Sequence, residues 1–515
     1  MKSVDVGAKV WLLPKKKTIE IQWQKSKLSS KSKSFLFYFL LKEVQIKEIR
    51  MRILKLLLVV VLFVISSMSQ AVVPAFEKGD RVTFIGDSIT HAGSYHSNIY
   101  MFYATRFPNR PFKYYNCGIS GDTASGTNKR FETDIAVHQP NVATIMLGMN
   151  DAWKWCFGEG EPTEEMLKGR QQSYEVYTHE MDMLAASLAK LSTRIIFIKP
   201  SIYDQTAKLE QENLLGKNDQ LGQFGEFVET LAEKYDGNIV DFYTIMCQIN
   251  NRVQKEDPSG TIVGPDRVHP GVQGHFVMSY AFLKAQGMPQ LVSAIEVDAT
   301  AGNILRQKNC VIEGKPEISS DRVVFTCTEN ALPFPVTGEQ IEALQWIPFQ
   351  EELNRQILKV NNLKSGFYEL KIDDISIGTY TSDELAAGIY LSGNRSTPQY
   401  QQALEVKAVN DQRLAVVSKL RSIALVRYTM LSKLNPPVPE DDLEALEAAL
   451  NTHVEKSKGQ PWHSYLKSQA EIFLGSVSQE DDLRAQEEAL LTKTWTVNRP
   501  KPHRWTIMPT DAQDE

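Results

Sequence analysis

From Asp80 to about Leu291, short apolar runs alternate with longer amphipathic stretches. Val82-Thr83-Phe84-Ile85, Lys113 to Asn116, Val142 to Leu147, Arg194 to Ile198 and Ile239-Val240-Asp241-Phe242 read as strands. Between them, Ser97 to Arg106, Tyr174 to Leu191 and Leu221 to Tyr235 carry helical periodicity. Strands interleaved with helices predict a parallel sheet covered on both faces. In such sheets the functional loops gather at the carboxyl ends of the strands.

Beyond Ile295 the pattern changes. Residues 296–380 show strand-like alternation, as in Val323-Val324-Phe325-Thr326-Cys327 and Gly366 to Ile372, with turn signals between. Ser382 to Lys493 is helical in pattern, and the proline-bearing, polar tail from Asn498 is expected to be irregular. The resulting division is a first domain over 72–295, a small β-rich module over 296–380 and a helical C-terminal region with an irregular tail over 381–515.

At the other end, Met51-Arg52-Ile53-Leu54-Lys55 is followed by the apolar run Leu56 to Ile65 and then Ser69-Gln70-Ala71. A basic start, an apolar core and a small-residue exit are the layout of an export signal. The core is shorter than the about 20 residues a membrane span requires. Residues 51–71 therefore read as a cleaved signal with Met51 as the start, and 1–50 as a mis-assigned extension. The implied location is secreted or periplasmic, without a stable membrane anchor once the signal is removed.

Composition narrows the class. The 515 residues are 42% hydrophobic and 23% charged, a globular balance. A formal net charge of -5 makes no electrostatic case for nucleic acid or an anionic membrane. The five cysteines contain no CxxC pair, so zinc-ligand spacing is absent and no cofactor is implied. Cys310 and Cys327 are the pair for which a bridge in an oxidising compartment stays open.

Four segments, each just after a strand-like run, carry candidate chemistry. Gly86-Asp87-Ser88 places a hydroxyl at a strand end, where a tight turn and an adjacent base would make it a nucleophile. Asn116-Cys117-Gly118-Ile119-Ser120-Gly121 offers glycine N–H groups to an oxyanion, and Gly148-Met149-Asn150 an amide donor. Asp266-Arg267-Val268-His269 sets a carboxylate three residues before an imidazole, the pairing of a general base with the group that orients it. Taken singly, each also fits an ordinary turn or cap. Jointly and in this order they are specific.

With those residues in place, residues 78–290 resemble the SGNH (GDSL-type) hydrolase superfamily. The resemblance implies Ser88 as nucleophile and oxyanion donor, Gly121 and Asn150 as the other oxyanion donors, His269 as general base and Asp266 as its partner. It also implies a flavodoxin-like α/β/α sandwich. Softer likenesses in Pro348 to Arg355 and Ser382 to Gly388 to the tails of bacterial GDSL-type proteins imply no further catalytic residue; a packing appendage is expected there.

The function expected is therefore hydrolysis of carboxylic esters through an acyl-enzyme, with O-acetyl esters of polysaccharides as the favoured substrate. Short-chain lipid or aryl esters are the alternative. Two readings from other classes are a non-catalytic carbohydrate-binding protein on the same scaffold and a metal-dependent hydrolase using Asp87, Asp266 and His269. Trp153 and Trp155 could wall the site for a sugar or pack in the core. His91, His96 and His138 read as surface or satisfied core residues, with substrate contact as the lesser alternative for His91 or His96, and His275 reads as structural.

Overall fold

The computed structural model describes residues 72–511, the backbone of the strands Val4–Asp5, Lys9–Lys15 and Thr18–Trp23, and the single residues Ser29, Lys31 and Tyr38. Those N-terminal strands form a three-stranded sheet, antiparallel throughout. The segment 51–71, read as an export signal, lies outside the described residues. Among the described residues, no helix is long and apolar enough to cross a membrane.

The five strand-like runs all become strands: β1 (Arg81–Gly86), β2 (Lys113–Gly118), β3 (Val142–Met146), β4 (Arg194–Lys199) and β5 (Asn238–Asp241). They form one five-stranded parallel sheet in the order β2-β1-β3-β4-β5. This is the flavodoxin-like order, and its strand-order reversal lies between β1 and β3. β1 and β3 are almost wholly buried, as continuous apolar runs must be in a sheet covered on both faces.

Helices α1 (Ser94–Arg106) and α2 (Val272–Ala285) pack against each other on one face, burying Phe76, Phe84, Tyr103 and Phe282 in a cluster of tilted and edge-on rings. The other face carries α3 (Glu164–Lys190) and α4 (Lys217–Lys234), joined by the Tyr177–Phe224 stack at 3.9 Å between centroids. Helix α3 starts ten residues before the apolar stripe suggested. The Thr163 hydroxyl accepts from Met166 N–H at 3.2 Å, and Glu164 and Glu165 follow in the first turn, so the start is capped rather than marked by hydrophobic spacing.

Two further sheets follow, and 72–515 forms one compact unit. β6 (Leu291–Asp298), β7 (Asn303–Lys308), β8 (Cys310–Ser319) and β9 (Arg322–Glu329) lead into β10 (Arg355–Asn361), β11 (Phe367–Ile372), β12 (Ile375–Thr381) and β13 (Ile389–Tyr390). Four helices come next: α5 (Pro398–Thr429), α6 (Leu443–Glu455), α7 (His463–Ser476) and α8 (Glu480–Val497). The chain then returns as β14 (Pro502–Thr510).

The tail expected to be irregular is thus a strand, and a central one: the five-stranded sheet runs β8-β9-β14-β11-β12. The prolines at 502 and 509 masked a period-2 signal. His503, Trp505 and Ile507 alternate inward, and Trp505 stacks on Phe325 at 5.7 Å. This sheet and the four-stranded sheet β7-β6-β10-β13 share a single apolar core. Cys310 and Cys327 meet there on neighbouring strands as free thiols in hydrogen-bond contact.

Helix α5 lies along the β2 edge of the parallel sheet. Its Ala424 and Leu425 bury Ile119, and the Arg421 guanidinium donates to Gly118 O at 3.2 Å. Arg413 donates to Tyr114 O at 2.8 Å, with its carbon 3.9 Å above the Tyr114 ring. An open strand edge is thereby closed by a helix.

Candidate active site

Because Gly86 pairs with both Gly118 and Met146, the carboxyl ends of β1, β2 and β3 are level. The loops that leave them meet over the strand-order reversal. Gly86 must be glycine: a Cβ there would sit 2.7 Å from Met146 O and 2.2 Å from Thr90 Oγ1. Asp87 then caps the short helix Ser88–His91, its Oδ1 accepting from Ile89 N–H at 3.0 Å. The cap turns the chain so that Ser88 opens the helix with its side chain in the cleft.

Ser88 Oγ lies 2.7 Å from His269 Nε2, and His269 Nδ1 lies 2.6 Å from Asp266 Oδ2. The other Asp266 oxygen, Oδ1, accepts the backbone N–H groups of Val268 (3.1 Å) and His269 (3.0 Å). Half-burial raises the Asp266 pKa, but those hydrogen bonds outweigh it and hold the carboxyl near 2. The hydrogen bond to Asp266 in turn raises His269 above the ordinary imidazole value. The pair is a carboxylate that stays charged and an imidazole made a stronger base by it.

Arg267, which sequence reasoning passed over, holds this loop. Its φ is +68°, left-handed for a side-chain-bearing residue. Its buried guanidinium donates to four carbonyls, at Asp204 (2.9 Å), Ala207 (3.0 Å), Gln211 (3.1 Å) and Leu209 (3.2 Å). Those bonds offset the backbone strain and fix the turn that brings Asp266 under His269. Nothing in the local pattern around Arg267 signals this role, which depends on the neighbouring 204–211 segment.

The remaining two blocks are stitched together. Gly121 has φ +79° in an exposed turn where Asp122 N–H donates to Ile119 O at 3.1 Å. Asn150 Nδ2 donates to Asp122 O at 2.9 Å, which leaves its second N–H for the cleft. Asp151 Oδ1 accepts from Ala124 N–H at 2.9 Å, and the buried Lys217 ammonium donates to Ala152 O at 2.8 Å. Burial pushes the carboxyls of Asp87 and Asp151 up to about 6 and about 7, and the Lys217 ammonium down to about 8. These groups are scaffolding beneath the site, and their burial limits the charge they place beside it.

Ser88, Gly121, Asn150, Asp266 and His269 all line one cleft of about 910 Å³. Its remaining walls come largely from the C-terminal helices: Leu414 and Val417 on α5, then Pro461, Trp462, Tyr465 and Gln469 at and after the start of α7. Tyr465 donates to Ser120 Oγ at 2.8 Å. The region expected to be a packing appendage therefore builds part of the site. Nothing in the local pattern of 381–515 could signal it.

Of the other residues singled out, His91 lines the cleft, where its Nδ1 accepts from Ser120 N–H at 3.3 Å; burial lowers its pKa to about 3. His96 and His275 are buried beneath, stacked on Phe84 and Tyr95, and His138 stacks on Tyr115. Trp153 and Trp155 stack on one another away from the cleft lining. Among the described residues, no group of three or more His, Cys, Asp or Glu side chains could hold a metal ion.

This arrangement defines a class, and comparison with known proteins agrees. Residues 84–276 match the GDSL-like lipase/acylhydrolase family. An acetylxylan esterase of Geobacillus stearothermophilus is 26% identical over 224 residues, covering 41% of this chain and 94% of that one. Its crystal structure superposes with a TM-score of 0.34 at 24% identity, over 41% of this chain and 96% of that chain. A gut microbial diltiazem-metabolizing enzyme of known structure is similar over far more: TM-score 0.77 and 30% identity, across 85% of this chain and 99% of that one. The chain belongs to the SGNH (GDSL-type) hydrolases. It is an ester-bond hydrolase with an α/β parallel-sheet domain, additional β-sheets and C-terminal helices.

Proposed function

We propose that the chain is a serine esterase that removes O-acetyl groups from polysaccharides by way of an acyl-enzyme. The observation that carries the mechanism is the hydrogen-bonded series Ser88–His269–Asp266, at 2.7 and 2.6 Å. Ser88 Oγ attacks the ester carbonyl carbon while His269 Nε2 takes its proton. The oxyanion receives hydrogen bonds from the N–H groups of Ser88 and Gly121 and the side chain of Asn150. His269 then delivers the proton to the alcohol oxygen as the C–O bond breaks, leaving an ester on Ser88. Water, deprotonated by His269, hydrolyses that ester and restores the hydroxyl. Asp266 holds the imidazole in the tautomer with Nε2 free and stabilises its charged form.

The acetylxylan esterase relative supports an acetylated polysaccharide as substrate. The diltiazem-metabolizing relative favours a second reading, esters of small molecules. Export through the segment 51–71 would place the enzyme where polysaccharides are met. Acetate release from O-acetylated xylan by the full-length protein, set beside hydrolysis of p-nitrophenyl acetate, tests both. Ser88→Ala is expected to lower kcat by about 10⁴-fold or more on either ester. Undiminished turnover by that variant would remove Ser88 from the nucleophile's role.

A further inference from the structure

A cleft of about 910 Å³ is far larger than a two-carbon acyl group requires; it is the size that buries a drug-sized ligand. The reacting residues fix the ester carbonyl at one place, so the alcohol must occupy the space bounded by the other walls. The aliphatic side chains of the walls are Ala92, Leu414, Val417 and Pro461, with the polar side chains of Ser418, Gln469 and Asn116 among them. Among them stand two aromatic faces, Trp462 and Tyr465, and the larger, Trp462, is 53% exposed although it lines a cleft. An exposed indole beside polar groups suits a ring with apolar faces and a hydroxylated rim.

The wall is also built before any ligand arrives. Arg421 on α5 forms a buried two-pronged pair with Asp134 at 2.8 and 2.9 Å, and Asp134 also pairs with Arg130. Tyr465, three residues beyond Trp462, is tied to Ser120 beside Gly121. Trp462 itself is the N-cap residue of α7, immediately after Pro461, so the backbone that presents it is stiff. A preformed surface spends little binding energy on ordering.

We infer that Trp462, with Pro461 and Tyr465 beside it, forms the subsite for the alcohol part of the substrate, and that this alcohol is a sugar ring stacked on the indole. The inference rests on the acyl-enzyme reading above and adds to it which segment selects the substrate. The selecting segment lies outside the part of the chain that matches the family, residues 84–276. Substrate choice would then be set by the C-terminal helices, and the chemistry by the parallel-sheet domain.

The test compares kcat/KM of full-length enzyme and variants on an O-acetylated xylo-oligosaccharide, on ethyl acetate and on phenyl acetate. Trp462→Ala is expected to lower kcat/KM on the oligosaccharide about tenfold or more, mostly through KM, and to leave ethyl acetate within about twofold. Trp462→Phe should recover most of the loss. Equal loss on oligosaccharide and ethyl acetate, or no loss on either, would overturn the subsite. A loss confined to phenyl acetate, with the oligosaccharide inert to wild type, would overturn the sugar and leave an aromatic alcohol in its place. Ser88→Ala, run in parallel, tells these failures from failure of the acyl-enzyme reading, since that variant loses all three substrates only if Ser88 is the nucleophile.

Discussion

At the scale of single residues, the site depends on hydrogen bonds that settle protonation and tautomer. Asp266 is held near 2 and stays ionised throughout the working range, while His269 is raised by it. In the proposed mechanism the imidazole must be neutral to accept the Ser88 proton, so kcat/KM is expected to fall as pH drops through its raised pKa. Asp266→Asn removes the charge that raises it. The acid limb of the pH profile should then move to lower pH, opposite to what a general loss of structure would do. At the same time kcat should fall about 10⁴-fold, because an amide no longer enforces the reactive tautomer. A pH–rate profile of the variant checks both; an acid limb left in place would mean that Asp266 does not set the His269 pKa.

Helices and loops decide where those residues stand. The 264–270 loop is shaped by Arg267, the β2 and β3 loops are joined by Asn150 and Asp151, and α5 supports the end of β2 from the side. Its Arg421 both neutralises Asp134 and donates to Gly118 O at the end of β2. Arg421→Ala leaves Asp134 buried with Arg130 alone, and losing one partner of a buried ion pair costs about 3–5 kcal/mol. Denaturant unfolding should show that loss, and kcat should fall with it as the Gly121 turn loosens. Stability within 1 kcal/mol of wild type would show that Arg130 satisfies Asp134 unaided. How far these elements were legible follows from their physics. Buried strands such as β1 and β3 announce themselves as apolar runs, and the Ser88, Gly121 and Asn150 blocks were visible as motifs at strand ends. The Asp266–His269 block, expected just after a strand, lies instead in the loop between the helix Phe242–Glu256 and α2, so only its Asp-x-x-His spacing was legible. The start of α3 and strand β14 were not, since one rests on a cap and the other on alternation interrupted by prolines.

For the molecule as a whole, the last strand locks the chain. β14 is the centre of a five-stranded sheet whose two neighbours on either side precede the C-terminal helices in sequence, so this sheet cannot close until the end of the chain is in place. Trp505 is its largest buried side chain, 1% exposed. Trp505→Ala should destabilise the protein by about 3–5 kcal/mol in denaturant titration. Turnover per folded molecule should be unchanged, because Trp505 takes no part in the cleft lining; a fall in kcat would couple the β-sandwich to the site. What the amino-acid sequence determined alone was the five strands, through local periodicity, and the candidate residues for the proposed chemistry, through short motifs at three strand ends and in the 264–270 loop. What only the tertiary structure decided was the surroundings of that chemistry, namely the Arg267 anchor, the Asp134–Arg421 pair and the Trp462 wall. Those contacts join residues from 56 to more than 300 positions apart, and no pattern confined to neighbouring residues can encode which distant surfaces will meet.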